Sequence, residues 1–198
     1  MFGLTTLFNR ARRVCRREGL IALFRRGFAF FVSLPAEYRR YYITRHSLEG
    51  FAQLDEADFM PRLQGFAVRL VTSNSEADCL ETEGLEFRSY VPNAREPLDR
   101  GAVALCIFVD KELANLSWAA MTQEAMNSLA EPPYEVDFAG GEAVGTGIWT
   151  NPKYRRLGLY GYRAFKIRQF LVAQGVHTTR SAVSKRNSSS IMGAIKTG

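Results

Sequence analysis

Histidine and cysteine are scarce in this chain. There are two of the former, His46 and His177, and three of the latter, Cys15, Cys79 and Cys106, among 198 residues. The cysteines are odd in number, far apart and never in a C-x-x-C pair. That excludes a disulfide framework and a zinc ribbon and fits a reducing compartment. With only two histidines a His-rich metal centre is excluded, and no metal is expected. No G-x-S-x-G surrounds a serine, so nothing frames a nucleophile elbow. No apolar run approaches the roughly 18–20 residues of a membrane-spanning helix. Lysine is missing from the first 45 residues and acids nearly so: ten arginines stand there against Glu18 and Glu37, a net +8. Because the whole chain carries +6, the remainder sums to −2. The basicity therefore belongs to an N-terminal arm and says nothing about the chemistry of the rest.

What is present divides the chain into a basic helical arm, 1–45, and a domain, 46–198. In the arm Leu4, Leu7, Phe8, Ala11, Val14 and Cys15 make one apolar stripe, opposite Arg10, Arg12, Arg13, Arg16 and Arg17. After Gly19, Leu20, Leu23, Phe24, Phe28 and Phe31 make a second stripe that ends near Pro35. Two short amphipathic basic helices are predicted. Arg25-Arg26 lacks the long apolar run and cleavage site of an export signal. The arm either packs on its own domain or lies on an anionic membrane surface through residues 1–34, where each basic residue adds about 1 kcal/mol. Nucleic acid leaves the stripes unexplained and is not expected. The expected location is cytoplasmic, peripheral at the inner membrane face.

Along the domain, 36–62 reads as helical or mixed. Gly65–Thr72 alternates like a strand, and 74–100 is polar with loop chemistry at its end. Two β-rich runs around Asp110-Lys111 predict a hairpin, and Thr122–Ala130 a short helix. Glu142–Thr150 reads as a strand with internal glycines, Leu159–Ala173 as the best helix in the chain, Val176–Val183 as a strand and Ser189–Lys196 as a last helix capped by Asn187 or Ser188. Strands followed by strand–turn–helix–strand–helix give an α/β or α+β mixed sheet with flanking helices.

The turn TNPKYRRLGLYGY (150–162) joins a strand to that best helix. A first helical turn offers unpaired N–H groups and the positive end of the helix dipole, suited to a phosphate. Arg155 and Arg156 add fixed charge, and Gly158 lets backbone approach closely. The plain alternative is a βα turn with solvated arginines. The run Asn151-Pro152-Lys153-Tyr154-Arg155-Arg156-Leu157-Gly158-Leu159 resembles the acyl-CoA signature of the GNAT N-acyltransferase superfamily, V-x-P-x-[YF]-[RQ]-x-x-G-x-[GA]. Downstream, SAVSKRNSSSIMGAIKTG resembles that family's next strand and its N-x-x-S-x-x-x-x-x-K-x-G helix, with Asn187, Ser190, Lys196 and Gly198 in register. The resemblance covers about 140–198, extends in weaker form from about 65, and does not reach 1–45. Three positions depart from it. Tyr160 stands where Gly or Ala is usual, Arg156 where a small residue is, and Leu157 where a basic one is.

The resemblance implies acyl transfer, acetyl or other, from acyl-CoA to an amine acceptor. It places the diphosphate on the backbone of Arg155, Arg156, Leu157, Gly158, Leu159 and Tyr160, with Asn187 and Ser190 as further contacts. The pantetheine arm would lie along main-chain groups of Ile148, Trp149 and Thr150, one of whose N–H groups polarises the thioester. Glu142, at the strand's start, is the expected base for the amine, against the plain reading of a solvent-facing strand end. The family's hydroxyl on the last helix is missing, since Met192-Gly193-Ala194 stands there, leaving Tyr160 or Tyr162 as substitutes. Trp118, Trp149 and Tyr134 are candidate walls of an acceptor cleft. The family continues past this point with a closing hairpin, so truncation after Gly198 and an uncovered sheet edge are expected. Rival readings are a catalytically silent CoA-binding or interaction module, and a transferase taking its acyl or aminoacyl group from a carrier protein or tRNA.

Overall fold

The computed structural model describes residues 40–91, 93–129 and 132–196. The helices expected in the arm, and the membrane surface assigned to residues 1–34, lie outside the described residues. The strands are β1 Tyr41–Ser47, β2 Phe66–Val71, β3 Val103–Val109, β4 Glu112–Ala120, β5 Glu142–Thr150 and β6 Thr178–Ser184. They form one mixed sheet in the order β1-β6-β5-β4-β3-β2. Helices α1 Asn74–Thr82, α2 Arg95–Asp99, α3 Gln123–Leu129, α4 Leu159–Ala173 and α5 Ser188–Lys196 flank it. This is the mixed α/β sheet domain that the order of patterns predicts.

β3 reads VALCIFV and is buried at every position, as a strand covered on both faces must be. On one face Val71, Phe87, Phe108, Leu116 and Trp118 pack with Leu80 of α1, Leu98 of α2 and Met126 of α3. On the other, Leu105, Ile107 and Ala119 meet Leu159, Tyr162, Phe165 and Leu171 of α4. Each fully buried large side chain contributes about 1.5–3 kcal/mol, so two such layers supply most of what opposes chain entropy. The expected hairpin turns at Asp110 and Lys111, both with positive φ (48° and 68°), the backbone a two-residue turn between twisted strands needs.

Two stretches differ from expectation. The segment 74–100 is not a long loop: it carries α1, a 3-10 turn at Arg88–Tyr90, and α2. Ser73 Oγ accepts the Glu76 N–H at 3.2 Å, and Glu76 Oε2 accepts the Thr72 N–H at 2.7 Å. That reciprocal cap starts α1 in spite of its polar sequence. Within 36–62, Tyr41–Ser47 is a strand, followed by two 3-10 turns, Phe51–Gln53 and Glu56–Phe59. The strand begins inside the segment assigned to the arm. It pairs antiparallel with β6 from Tyr41↔Ser184 to Ser47↔Thr178. β1 thus covers the outer edge of β6.

Candidate active site

β5 and β6 run parallel, and their paired register is three residues long, Glu142↔Thr178 to Val144↔Arg180. Beyond it the strands part. β6 continues against β1, and β5 continues against β4 alone. A bulge widens the fork: Leu116 pairs with Trp149 and Trp118 with Thr146, so Gly147 and Ile148 stand opposite the single residue Ser117. Gly147 has φ +60, and a Cβ there would lie 2.7 Å from Trp118 Cδ1, so both backbone and space demand glycine. Between the arms of the fork is a cavity of about 170 Å³, bounded by Val144, Gly145 and Thr146 of β5, Ala182 of β6, Tyr41 of β1 and the segment Pro132-Pro133-Tyr134.

The outer edge of β5 offers main-chain groups to this space. The Asn151 N–H donates to Ala114 O at 3.0 Å and Trp149 O accepts from Asn115 Nδ2 at 2.9 Å, so both face β4. Strand alternation then turns the N–H and C=O of Ile148 and Thr150 to the open edge. The three main-chain positions expected to hold a pantetheine arm are therefore divided: Ile148 and Thr150 face the open edge, where Arg155 Nε already donates to Thr150 O, and Trp149 is committed to the sheet.

At the far end of β5 the chain makes a 3-10 turn at Pro152–Tyr154 and enters α4 through Arg155, Arg156, Leu157 and Gly158. Arg156 and Gly158 both have positive φ, 66° and 88°. Backbone of this kind makes anion-binding concavities. None of the N–H groups from Arg156 to Gly161 donates to backbone among the described residues, and Gly158 at the N-cap supplies no side-chain cap. Glycine at 158 also meets a need that the sequence does not show. A Cβ there would lie 3.2 Å from Pro61 Cα, and next to it the Arg62 N–H donates to Leu157 O at 2.8 Å. Gly158 lets the turn dock on Pro61 in a left-handed conformation. Arg155 and Arg156 are exposed, and Arg155 Nε donates to Thr150 O at 3.3 Å. Tyr160 turns its ring to α5, where a Cβ on Gly193 would lie 2.8 Å from it. Asn187 Oδ1 accepts the Ser190 N–H at 3.1 Å, the expected cap of α5.

The turn is braced from β4. Glu112 Oε2 accepts from Lys153 Nζ at 2.8 Å and Tyr154 OH at 2.6 Å, and Glu112 Oε1 from Asn151 Nδ2 at 3.1 Å. The Asn-Pro-Lys-Tyr stretch is thus a clamp on one carboxylate. Lys153 first, then Tyr154, holds the Glu112 carboxyl down to about 2, against an ordinary 4.5. A depressed carboxylate stabilises the fold fully above pH 4.5 and loses that contribution as pH falls towards 2. Thermal unfolding of wild type should therefore decline more steeply between pH 4.5 and 2 than that of Glu112→Gln. Parallel curves would show that the clamp contributes nothing.

At the apex of the fork, Glu142 is 6% exposed and its oxygens are engaged. Oε1 accepts from Arg180 Nε at 2.9 Å and from Arg180 NH2 at 2.8 Å, with Arg45 NH2 at 3.6 Å; Oε2 accepts the Asp137 N–H at 3.0 Å. The expected base is buried, not the solvent-facing strand end of the plain reading. It ties β5 to β6 and β1. Of the three aromatic candidates, Tyr134 lines the cavity. Its hydroxyl is buried without a partner among the described residues, and burial pushes it up to about 12, Arg180 pulling the other way. Trp118 is 2% exposed and packs on Phe87 in the core, while Trp149 meets the tilted ring of Tyr90 at 5.1 Å. Neither bounds the cavity.

A larger concavity, about 1070 Å³, lies elsewhere, around α2 and the 3-10 turn at Arg88. It is a wide surface depression ringed by charges that pair with one another, such as Arg95–Asp78 at 2.8 Å and Arg100–Glu124 at 3.1 Å. Among the described residues no cluster of three His, Cys, Asp or Glu side chains is placed to hold a metal, and no helix is long and apolar enough to cross a membrane.

No protein-family model matches the chain, and no curated protein matches it. Solved structures of similar fold include an aminoglycoside acetyltransferase from an uncultured soil metagenomic sample, in complex with trehalose: 10% identity, TM-score 0.47, 67% of this chain and 87% of that one. A GCN5-related N-acetyltransferase-like protein from Streptococcus suis is 15% identical, with TM-score 0.46, over 86% of this chain and 62% of that one. A tandem GNAT protein from the clavulanic acid biosynthesis pathway is 13% identical, with TM-score 0.48, over 86% of this chain and 54% of that one. At these identities and scores the likeness carries nothing about this chain's chemistry.

Proposed function

We propose that the chain is an N-acyltransferase of the GNAT superfamily that moves an acetyl or other acyl group from acyl-CoA to an amine. The observation that carries this is the fork. A three-residue parallel ladder opens at a glycine bulge into a cavity, and the freed edge of β5 leads directly to the uncapped first turn of α4. A ligand with amides along its length and a diphosphate at one end matches both features. The open edge of β5 would pair with the amides as an added strand does, through Ile148 and Thr150. The N–H groups from Arg156 to Tyr160 would hold the diphosphate, with Arg155 beside them.

When bound, the thioester supplies the acyl group and a thiolate leaving group. Tyr134 holds a proton on its buried hydroxyl in the cavity, where it would pass to that sulfur as the C–N bond forms and the C–S bond breaks. Arg180, close enough to lower the Tyr134 pKa against burial, eases the transient phenolate. Glu142 would take the amine's proton through water at Oε2, which accepts the Asp137 N–H. One observation favours a second reading, binding without turnover: both oxygens of Glu142 are already engaged.

Calorimetry with acetyl-CoA, followed by thiol-release assays over a panel of amines, tests the proposal. Binding weakened at least about tenfold by Arg155→Glu is expected, with turnover that Tyr134→Phe lowers by about 10²-fold at unchanged affinity. Binding with no turnover on any amine would favour the silent module. No binding at all would end the proposal.

A further inference from the structure

The helix that begins at the candidate diphosphate turn carries a buried cation with no counter-charge. Arg163 is 6% exposed, its Nε is buried without an acceptor, and no carboxylate pairs with it among the described residues. Other sheltered arginines differ. Arg88 is held by Asp78 at 2.6 Å and by Glu81 at 2.5 Å, and Arg180 by Glu142 at 2.8 Å. The partner of Arg163 is the side chain of Tyr160, with the guanidinium carbon 4.6 Å from the ring centroid. Burial pushes the guanidinium down to about 10, Tyr160 pulling the other way and Arg168 adding repulsion. A cation over a ring is attracted but not neutralised. A guanidinium taken out of water without an anion is costly, and a fold that keeps one keeps it for a ligand or for nothing.

Its place decides which ligand. Side chains on a helix lean towards its N-terminus, and the Arg163 guanidinium lies over the ring of Tyr160, the second residue of α4. There the N–H groups of Leu159, Tyr160 and Gly161 donate to no backbone among the described residues. We infer that Arg163 is an anion-binding residue of the α4 turn, its missing counter-charge supplied by a phosphate oxygen of the diphosphate ligand. This rests on the diphosphate reading above and adds to it a residue that the strand–turn–helix signature does not contain. Tyr160 is then the ring that holds the guanidinium in line with the turn, and Gly193 of α5 is the space that lets the ring lie there.

The test is a pair of opposed effects. A structural arginine loses stability when truncated; an uncompensated buried cation gains it when replaced by an apolar side chain. Arg163→Leu, with the length-matched Arg163→Met as a second variant, should melt higher than wild type by a few degrees and bind acetyl-CoA at least about tenfold more weakly. Inorganic pyrophosphate should raise the melting temperature of wild type and leave that of both variants unmoved. If wild type and variants bind acetyl-CoA equally, the inference fails and the diphosphate reading stands. If wild type binds neither acetyl-CoA nor pyrophosphate, both fall together. If both variants melt lower than wild type or fail to fold, Arg163 is satisfied within the protein and the inference is overturned.

Discussion

Replacing Gly158 with glutamate should abolish acetyl-CoA binding, a loss of at least about 100-fold or 2.7 kcal/mol. Three effects act in one direction. The residue has φ +88, which side chains other than glycine adopt only with strain. A Cβ would stand 3.2 Å from Pro61 Cα, pushing the turn away from the segment that receives it through the Arg62–Leu157 hydrogen bond. The carboxylate would sit in the first turn of α4 and compete for the donors an anionic ligand needs. Gly158→Ala separates these, since it keeps the strain and the clash without the charge. It should retain part of the affinity, and calorimetry on the two variants reads the difference. Wild-type affinity in Gly158→Glu would remove this turn from the binding site.

Glu142→Ala should cost about 3 kcal/mol of unfolding free energy, measured by urea denaturation. The carboxylate is 6% exposed and holds Arg180 of β6, Arg45 of β1 and the Asp137 N–H. Removing it leaves Arg180 half-sheltered beside Tyr134 and unties the only three paired residues of the parallel ladder. Glu142→Gln keeps the volume and one acceptor and should cost less. If Glu142→Gln is as stable as wild type yet turns over no amine, the carboxylate is a base; if stability and turnover fall together, it is a tie. A change in Glu142→Ala within 0.5 kcal/mol would show the tie to be idle.

Much of the sheet was legible because its patterns are local. β3 is an unbroken apolar run and the helix Leu159–Ala173 runs fifteen residues without proline between Gly158 and Gly175, so each declares itself without its partners. β1 did not, because Arg45 and His46 interrupt a strand whose side chains alternate with solvent at a sheet edge. The start of α1 was legible in principle, in the spacing of Ser73 and Glu76, but is drowned by the polar residues after it. At the site, the Pro, Arg and Gly of the turn were readable as a motif. Their reasons were not: that Pro61 faces Gly158, that Glu112 clamps Asn151, Lys153 and Tyr154, or that Arg163 lacks an acid, are facts of three-dimensional neighbours 40 to 100 residues away or of absences. The pairing of Glu142 with Arg180 is of the same kind.

The extra residue at Gly147 has a consequence for how this strand tolerates change. Val144 lies on the face covered by α1–α3 and Ala143 on the face of α4; after the bulge it is Trp149, an odd position, that rejoins the first face. The phase of the strand is reset there. Because two residues there oppose Ser117 alone, deleting one of Gly147 and Ile148 would restore plain alternation and leave Trp149 opposite Leu116 on its present face. The bulge is the one point where this strand can lose a residue without turning its side chains over.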